Sequence, residues 1–588
     1  MFHPNEDDLI WVYPNLDPEW KATIIKEFKV HPITAQVLVA RGFNSLETIH
    51  DYLYAKLPDL HDPFLFNEMK PAVERLTQVW MHRERVLIYG DNDVDGMTGT
   101  ALLTDFLRSI NVDVLPFVSH SSGSRQTMFL DALEYAIEKK CKLVITVDCG
   151  ITATQELAEF TENGIDVIIT DHHEPAEVLP KVTAILNPKL LNNTYPNRHL
   201  TGVGVAFKLA HALLNHLVAE GKISSKKVDL KNLLDLVAMG TISDMGALQG
   251  ENRILVRYGI KQLRKTKRIG LAKLVSICDM ELSDLNTFTI ASKIAPRLNS
   301  LGRIADPQKG VQLLLIRNVM AAEKLAIELD LNNIERQKIE RTVSIDVENF
   351  MSTNPSILKN KAIVISSDKW HPGVIAILST RISKQFNRPT VMIAIENEIG
   401  KGSVRSIPEF PLLTALKQCS DLLINFGGHD FAAGLTIKEQ NIPAFVERFI
   451  HIANQTLKDQ DVVSKLYLDS EIYFEDLTFD CMESIRLLEP YGNENPPPVL
   501  YCDAKQAWPP KVVGKTHLKL YLEQDERLLE GVAFGQAESS TKLRKKNLTL
   551  RVAFTPQVSN YQKKPSIKLI VRGFKILPPS SNLLPFGS

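Results

Sequence analysis

The chain has little cysteine, and none of it is arranged for chemistry. Six cysteines occur in 588 residues (Cys141, Cys149, Cys278, Cys419, Cys481 and Cys502), and no two form a C-x-x-C pair. That scatter excludes a zinc ribbon or a disulfide framework and fits a reducing compartment. No uninterrupted run of about eighteen apolar residues occurs, the length a membrane-crossing helix needs. The opening stretch, MFHPNEDDLIWVYPNL, lacks a basic segment followed by an apolar one, so no secretory leader is read there. A soluble, cytoplasmic protein with no membrane partner is expected. An excess of one charge is missing too: 68 Lys and Arg face 69 Asp and Glu, a net charge of −1. This excludes a surface that binds polyanions throughout, and local charge has to carry any such role. The length suffices for three to four domains at roughly 150 residues each.

Against that background one stretch stands out. Residues 86–96, VLIYGDNDVDG, pass from apolar directly into three carboxylates spaced two apart, Asp91, Asp93 and Asp95. The apolar part is short and β-branched and glycines bracket the acids, so strand, tight turn and helix are expected in that order. In parallel α/β sheets, ligands sit at the carboxyl ends of the strands. Carboxylates crowded there repel one another and lose solvation, which a hard cation relieves. An EF-hand loop opens with a similar pattern, but its twelfth position would be Leu102 instead of Glu, and a helix would precede it. A solvated acidic turn is the other reading of this motif taken alone.

Residues 1 to about 70 show short helical periodicity punctuated by proline, and Asn44 or Ser45 is placed to cap a helix. From Pro71 to about Tyr258, strand-like VLIYG, KLVITVDCG and DVIITDHHEP alternate with helical DALEYAIEKK and ATQELAEFTENG, the pattern of a parallel sheet wound with helices. LVITV ends in Asp148, VIIT ends in Asp171-His172-His173, and LLDLVAMGTIS runs into Asp244. Each alone is an ordinary turn acid or structural histidine; gathered at one edge they are hard to explain that way. Carboxylates with one or two imidazoles suit Mn2+ or Mg2+ in a two-ion site, whereas zinc recruits more His or Cys. Such sites clamp the attacking and departing oxygens of phosphoryl transfer, so phosphoester hydrolysis is the expected reaction.

Residues 321–350 read as one long helix bridging two lobes, with Leu325, Leu329, Ile339, Val343 and Val347 at helical spacing and Glu335 placed to pair with Lys338. A second α/β unit follows, with AIVISS and TVMIAI as strands and GVIAILSTRISKQF as a helix. Its GKGSVRS and FGGHDFAAG read as Gly-rich turns, either ordinary ones or ones that bring backbone N–H groups, Arg405 and His429 to a phosphate. From 464 to 578 short alternating segments (HLKLYLEQ, LLEGVAFG, NLTLRVAF, SIKLIVRGF) suggest a small β-barrel. Residues 501–578 hold 15 Lys and Arg against 6 Asp and Glu, a balance of +9 that leaves the rest of the chain at −10. With Tyr521, Phe534, Phe554 and Tyr561 available for stacking, this is the composition of an OB-fold that binds single strands, although each aromatic suits a core equally well. The tail, 579–588, is read as flexible.

In this order the motifs carry a resemblance. Asp93-Val94-Asp95, Asp148, Asp171-His172-His173 and Asp244 resemble the four motifs of the DHH phosphoesterase superfamily, and the chain as a whole is similar to its RecJ branch of single-strand-specific exonucleases. The likeness includes GVGVAFKL (202–209), GENR (250–253), IAPRLNSLGR (294–303), NNIERQKIE (332–340), WHPGVIA (370–376), GSVRSIP (402–408), GGHDFAAGLT (427–436) and LEPYGNENPPPV (488–499). It implies an α/β architecture: a helical N-terminal cap (1–70), a DHH catalytic domain on a parallel sheet (71–262), a helical connector (263–350), a DHH-associated α/β domain facing the metal site across a cleft (351–456) and an OB-fold barrel (464–578). It further implies degradation of single-stranded DNA from 5′ to 3′ into mononucleotides, in recombination and repair, with single-strand-binding protein and a RecQ-type helicase as partners.

Carried onto these residues, the resemblance implies that Asp93, Asp95, Asp148, His172 and Asp244 hold two Mn2+ or Mg2+ ions, with Asp91 a further ligand or a neighbouring acid. Asp171 would orient an imidazole, and His173 would sit on the scissile phosphate or assist proton transfer. Arg297, Arg303, Ser403, Arg405 and His429 would hold phosphates. One departure matters: where this branch carries Asn-Arg and then Glu-Gly-Tyr-Gly after the second strand, the chain reads PFVSHSSGSRQTMFLDAL, leaving Arg125 as the counterpart near a DNA 5′ end. Two alternatives stay open. A phosphodiesterase for short oligonucleotides would need no basic barrel, and a catalytically silent replication scaffold would tend to lose ligands.

Overall fold

Five parallel strands form the first sheet of the computed structural model, which describes residues 9–119, 125–544, 548–559 and 565–578. Their order is Asp113–Val118, Arg85–Gly90, Leu143–Val147, Asp166–Thr170 and Ala184–Leu186. Gly90 lies opposite Val147, Val147 opposite Thr170, and Thr170 opposite Leu186, so the inner strands end level. The strands are apolar without alternation because both faces are covered. Val86 and Ile88 pack with helices Val94–Ser109 and Gly202–Ala219, while Leu87 and Tyr89 pack with Arg125–Glu138 and Thr154–Glu162. By length and composition Gly202–Ala219 passes for a membrane span, yet 72% of it is buried inside the protein. Its Lys208 is fully buried, donating to the His61 carbonyl at 2.8 Å and pairing with Glu251 at 2.6 Å.

LLDLVAMGTIS differs from the two runs before it. It is the helix Leu234–Ser243, and Asp244 is its C-cap. Buried nearly all round, it shows the unbroken apolarity of an inner strand at helical length. The connector is also less separate than its sequence suggests. Leu271, Leu274, Val311, Leu314 and Leu329 share the core of the first sheet. The long helix Val319–Thr353 continues from that core into a second one, where Val343, Val347 and Met351 meet Trp370, Val374 and Leu378. At 1.5 Å per residue it is a rod about 50 Å long, and Glu335 pairs with Lys338 at 3.2 Å.

The second sheet runs Leu423–His429, Ala432–Lys438, Ile399–Arg405, Thr390–Glu396, Ile363–Ser367, and only its last pair is parallel. Of the expected Gly-rich turns, FGGHDFAAG is therefore a hairpin that turns at Asp430-Phe431 between Leu423–His429 and Ala432–Lys438, whereas GKGSVRS is strand, its N–H groups engaged by the strands on either side. Glycine is required there by crowding: a Cβ on Gly402 would lie 2.6 Å from Leu435 Cδ1, and one on Gly400 2.7 Å from Ile393 Cγ2. What the strand Ile399–Arg405 presents is side chains, Ser403 and Arg405 among them.

Leu500–Val513, His517–Gln524, Arg527–Ala533, Ser566–Ile576 and Thr549–Ser559 close into a barrel, the last pairing back onto the first. Leu500–Val513 escapes sequence reading because Pro509 and Pro510 interrupt it; register shifts on both sides of Trp508 absorb the missing donors. The N-terminal helices belong to this barrel. Ile24, Ile33, Val37 and Ile49 share a core with Ile472, Ile485, Leu500 and Leu518, and Ile10–Val12 pairs in parallel with Lys465–Tyr467. Ser45 caps the helix Leu46–Tyr54, accepting from Thr48 N at 3.2 Å. The tail 579–588 lies outside the described residues.

Two arginines of the helix Gly250–Leu263 join these parts. Arg253 stacks on Tyr52 at 3.8 Å and donates to the carbonyls of Tyr52 (2.8 Å), Leu487 (3.1 Å) and Pro490 (3.5 Å). Arg257 donates to Leu53 (2.8 Å) and Glu489 (3.2 Å). These carbonyls lie at or just beyond the C-terminal ends of Leu46–Tyr54 and Phe479–Arg486, where acceptors lack intrahelical partners and a cation complements the dipole. Burial pulls the Arg253 guanidinium down to about 10. Arg253→Met strips its carbonyl bonds at a cost of about 2–4 kcal/mol. Calorimetry should show the barrel and N-terminal helices melting earlier while the transition of the first sheet stays in place; an unchanged thermogram would mean that the arginine joins nothing.

Candidate metal centre

The level strand ends set the site. The residue after each inner strand is an aspartate, and its N–H still bonds the neighbouring strand: Asp91 to Val147 O at 3.1 Å, Asp148 to Thr170 O at 2.8 Å, Asp171 to Leu186 O at 3.1 Å. The last rung of the ladder thus places three carboxylates side by side. Asp148 reaches its position with φ +64°, a left-handed conformation that Asp tolerates better than most residues. Asp93 caps the helix Val94–Ser109, accepting from Asp95 N (2.9 Å) and Gly96 N (3.2 Å). Asp95, only 1% exposed, accepts from Gly202 N (2.6 Å) and Val203 N (3.1 Å) at the start of the helix Gly202–Ala219, a favourable end for an anion. A Cβ on Gly202 would sit 2.5 Å from Asp148 Cβ, and one on Gly240 2.5 Å from Asp95 Oδ1. Only glycine lets those two helices come so near.

Asp171 spends its oxygens on the protein. Oδ1 accepts from the His172 N–H (2.7 Å), the His173 N–H (3.0 Å) and the His173 ring at Nδ1 (2.8 Å), and Oδ2 from Ile151 N (3.0 Å). His172 Nε2 behaves differently. It lies 3.0 Å from Asp148 Oδ1 and 3.6 Å from Asp244 Oδ2, yet among the described residues neither it nor Asp148 Oδ1 has a hydrogen-bond partner, although both atoms are buried. Two buried lone-pair atoms, close together and unsatisfied, are what a cation would bind. Among the described residues, ligand atoms within 4.8 Å of one another occur in three groups: Asp91, Asp93 and Asp148; Asp95, His172 and Asp244; and Asp148, His172 and His173. Asp148 and His172 each belong to two groups, and this oxygen-rich donor set fits hard divalent ions.

Burial and crowding shape the protonation states. Burial, then the charge of Asp93, raises Asp91 to about 6 and Asp95 to about 7. Burial and neighbouring carboxylates push Asp148 and Asp244 well above the usual range. In Asp171 burial acts upward too, but the hydrogen bond and charge of His173, with His172 and Ile151 N, hold the carboxyl well below that range. Burial and the charge of His173 bring His172 down to about 3. His173 rises to about 9, the Asp171 bond and charge outweighing burial. One imidazole is therefore neutral and its neighbour cationic near pH 7.

The other elements close around this edge. Asn299 accepts from Val94 N at 3.1 Å, and a Cβ on Gly302 would lie 2.2 Å from Asn92 O, so residues 294–303 brace the acidic turn. His429 of the second sheet stacks on His173, with centroids 5.9 Å apart and planes at 13°. Arg303 donates to Gly373 O (3.0 Å) and Arg405 to Thr380 Oγ1 (3.0 Å) and Val404 O (2.8 Å), with Ser403 Oγ at 3.3 Å. Burial lowers both guanidiniums, Arg405 also through the charge of Arg303, and among the described residues no carboxylate pairs with either. Arg297 stands apart, engaged by Asp330 at 2.8 Å and by Lys293 O at 2.6 Å. The Arg125 side chain lies outside the described residues, as do residues 120–124. On the barrel, Phe554 is core, Phe534 is exposed, and Tyr561 is outside the described residues. Sequence reading passed over exposed Trp508, which meets Tyr521 edge-on at 5.1 Å, with Lys511 and Lys519 over the Tyr521 ring at 5.8 and 5.2 Å. It also passed over Gly202, Gly240 and Asn299; Gly202 and Asn299 stand in the motifs at 202–209 and 294–303.

A pH dependence follows. Asp91 and Asp95 are raised to about 6 and about 7 in the folded chain from an ordinary 3.8. The folded state binds these protons more tightly than the unfolded one, so their stabilisation is complete below about pH 4 and lost as pH rises through about 6 to 7. A divalent cation competes with the same protons and gains as they leave. The rise in thermal midpoint on adding Mn2+ to chelator-treated protein should therefore grow from about pH 5 to about pH 8. A rise that is flat across this interval would contradict the assignment.

Residues 85–241 match the DHH family, N-terminal domain, residues 359–455 the DHHA1 domain, and residues 468–573 the RecJ OB domain. The chain is 36% identical over 532 residues to the single-stranded-DNA-specific exonuclease RecJ of Bacillus subtilis, an alignment covering 90% of the chain and 66% of that protein. It is 32% identical over 544 residues to the exonuclease of the same name from Dickeya dadantii, covering 88% of the chain and 92% of the relative. Among solved structures, RecJ from Thermus thermophilus in complex with Mn2+ matches at a TM-score of 0.82 and 28% identity, covering 98% of this chain and 80% of the other. With the DHH sheet, the DHHA1 lobe and the OB barrel in one chain, and this identity to full-length relatives, the chain belongs to the RecJ family of the DHH superfamily.

Proposed function

We propose that the chain is a metal-dependent exonuclease specific for single-stranded DNA. The observation that carries this is the pair of unsatisfied buried atoms, Asp148 Oδ1 and His172 Nε2, set where the ligand groups meet and faced by His429 across the lobes. Relatives named single-stranded-DNA-specific exonucleases, and Thermus structures in complex with Mn2+ and Mg2+, support the same reading. Asp91, Asp93, Asp95, Asp148, His172 and Asp244 are the residues that would hold two Mn2+ or Mg2+ ions. Bound there, such ions would supply Lewis acidity toward phosphate oxygens and a lowered pKa for water.

The chain's own groups do the rest. Asp171 keeps His173 oriented and protonated, so His173 can hold a phosphate oxygen or give a proton to the departing one. Arg303 and Arg405, with Ser403 and His429, hold phosphate oxygens, for which a planar guanidinium is suited. Trp508 and Tyr521, with lysines over the Tyr521 ring, stack bases on the barrel. A cleft that fits one strand excludes two. Cleavage from the 5′ end to mononucleotides, a role in recombination and repair, a cytoplasmic location, and single-strand-binding protein and a RecQ-type helicase as partners complete the reading.

The test is release of label from a 5′-labelled single strand and its matched duplex, with Mn2+, Mg2+ or EDTA. Metal-dependent release of mononucleotide from the single strand alone is expected. Asp95→Asn keeps an acceptor for Gly202 or Val203 N–H but removes a charge; it should lower the rate by more than the roughly 10–100-fold that an outer-shell partner is worth, while single-strand binding survives. Cleavage of dinucleotides but not of long strands would favour a short-oligonucleotide phosphodiesterase, and binding without any cleavage a silent scaffold.

A further inference from the structure

Asn187, the residue after the strand Ala184–Leu186, is fully buried and ties two parts of the site together. Its Nδ2 donates to His173 O at 2.9 Å and its Oδ1 accepts from Lys189 N at 2.8 Å. Arg198 fixes the same segment by donating to Lys189 O at 3.1 Å. The side chain that sets the backbone of His173 thus also sets that of Lys189. The Lys189 ammonium reaches Glu174 Oε1 at 3.1 Å, and that oxygen lies 3.9 Å from His429 Nδ1 on the other lobe. Lys189 is placed at the seam between the lobes, beside the stacked pair His173 and His429.

The Lys189–Glu174 pair does little for the fold. The Lys189 side chain is 22% exposed and that of Glu174 54%, and ion pairs so exposed contribute about 0–1 kcal/mol. Charge balance gives it another use. Asp91, Asp93, Asp95, Asp148, Asp171 and Asp244 bring six negative charges; two divalent ions return four and His173 one. The centre stays about one charge negative, and a phosphodiester strand has to approach it. Arg405 offsets that repulsion from the second sheet, and Arg303 from the helix Leu301–Ile304 that packs on the acidic turn. From the catalytic sheet itself, just past its strand Ala184–Leu186, comes Lys189.

Resting on the exonuclease reading, we propose that Lys189 binds a phosphate of the incoming strand, its ammonium leaving Glu174 for a phosphate oxygen, with Glu174 holding it in place while the cleft is free. The pair is a parked charge: the backbone of Lys189 is fixed by Asn187 and Arg198, and the exchange of one exposed anion for another costs little.

The experiment is equilibrium binding of a fluorescent oligo-dT to the full chain across a salt series, with Ca2+ in place of the catalytic ion, for wild type, Lys189→Ala, Lys189→Arg and Glu174→Gln. Each phosphate contact with a single strand contributes about 0.7 to the slope of log K against log salt. Lys189→Ala should lose about that much slope and bind roughly fivefold more weakly at low salt, with its thermal midpoint unchanged. Lys189→Arg should restore the slope, and Glu174→Gln should keep it and bind at least as tightly. A wild-type slope in Lys189→Ala, or a lowered midpoint that Lys189→Arg does not rescue, overturns the proposal. A wild type that binds the strand but never cuts it with Mn2+ defeats the exonuclease reading and leaves the slope comparison standing; a wild type that does not bind it defeats both.

Discussion

The structure depends on one rung of backbone hydrogen bonds, the last in the first sheet. Asp91, Asp148 and Asp171 donate their N–H groups to the neighbouring strands at 2.8–3.1 Å, and this holds their carboxylates together against mutual repulsion. Carboxylates in a buried setting drift apart or protonate unless something opposes them. The sheet core supplies that opposition: Val86, Ile88, Leu143, Ile145 and Ile168 are fully buried, so moving one strand end means disturbing the packing below it. Other features follow from the same constraint. The helix Gly202–Ala219 can turn its N-terminal N–H groups on Asp95 only because Gly202 carries no Cβ. The turn that holds Asp93 is braced from outside by Asn299 and Gly302.

The second lobe completes the centre without sharing its sheet. A single helix, Val319–Thr353, contributes to the cores of both lobes and so ties one to the other. Across the cleft come His429 and the partly buried guanidinium of Arg405, and Arg303 reaches in from the helix Leu301–Ile304; among the described residues no carboxylate pairs with either arginine. Leaving a charge desolvated and unpaired is costly, and a fold that keeps two of them together has a use for an anion between them. The Arg253 and Arg257 junction does for the barrel what the rod does for the second lobe. It fastens a distant domain to the catalytic core through helix-end carbonyls, a contact needing geometry more than apolar area.

Much of this was legible in the chain because strand chemistry is local. An apolar run that stops at an aspartate announces a strand end, and three such stops announced the edge. Reading failed where an environment imitates another pattern. LLDLVAMGTIS is buried on all sides, so its helix carries no periodic signal. GKGSVRS looks like a turn because glycine is common in turns, yet its glycines are there to admit Ile393 and Leu435 from the neighbouring strands. The union of the N-terminal helices with the barrel rests on contacts across more than four hundred residues, which no window of sequence contains. Arg297 lies six residues before Arg303 in the same motif, but Asp330 engages it, and only the fold could reveal that partner.

Asp148 and Asp171 show most directly how the fold separates like from like. Both follow a buried strand of the same sheet, one strand apart, and both are almost wholly buried. Asp171 meets four donors and is held ionised, with its lone pairs spent on His172, His173 and Ile151. Asp148 has an oxygen with none, among other carboxylates that push it toward protonation. Local pattern alone makes the two equivalents, each an aspartate after an apolar run; only the resemblance gives them different roles. Hydrogen-bond supply divides them: the satisfied one sets the orientation and charge of an imidazole, and the unsatisfied one keeps a lone pair that only a cation, or a proton in its absence, can use. In a crowded acidic edge, the groups fit to hold an ion are those the protein has declined to satisfy.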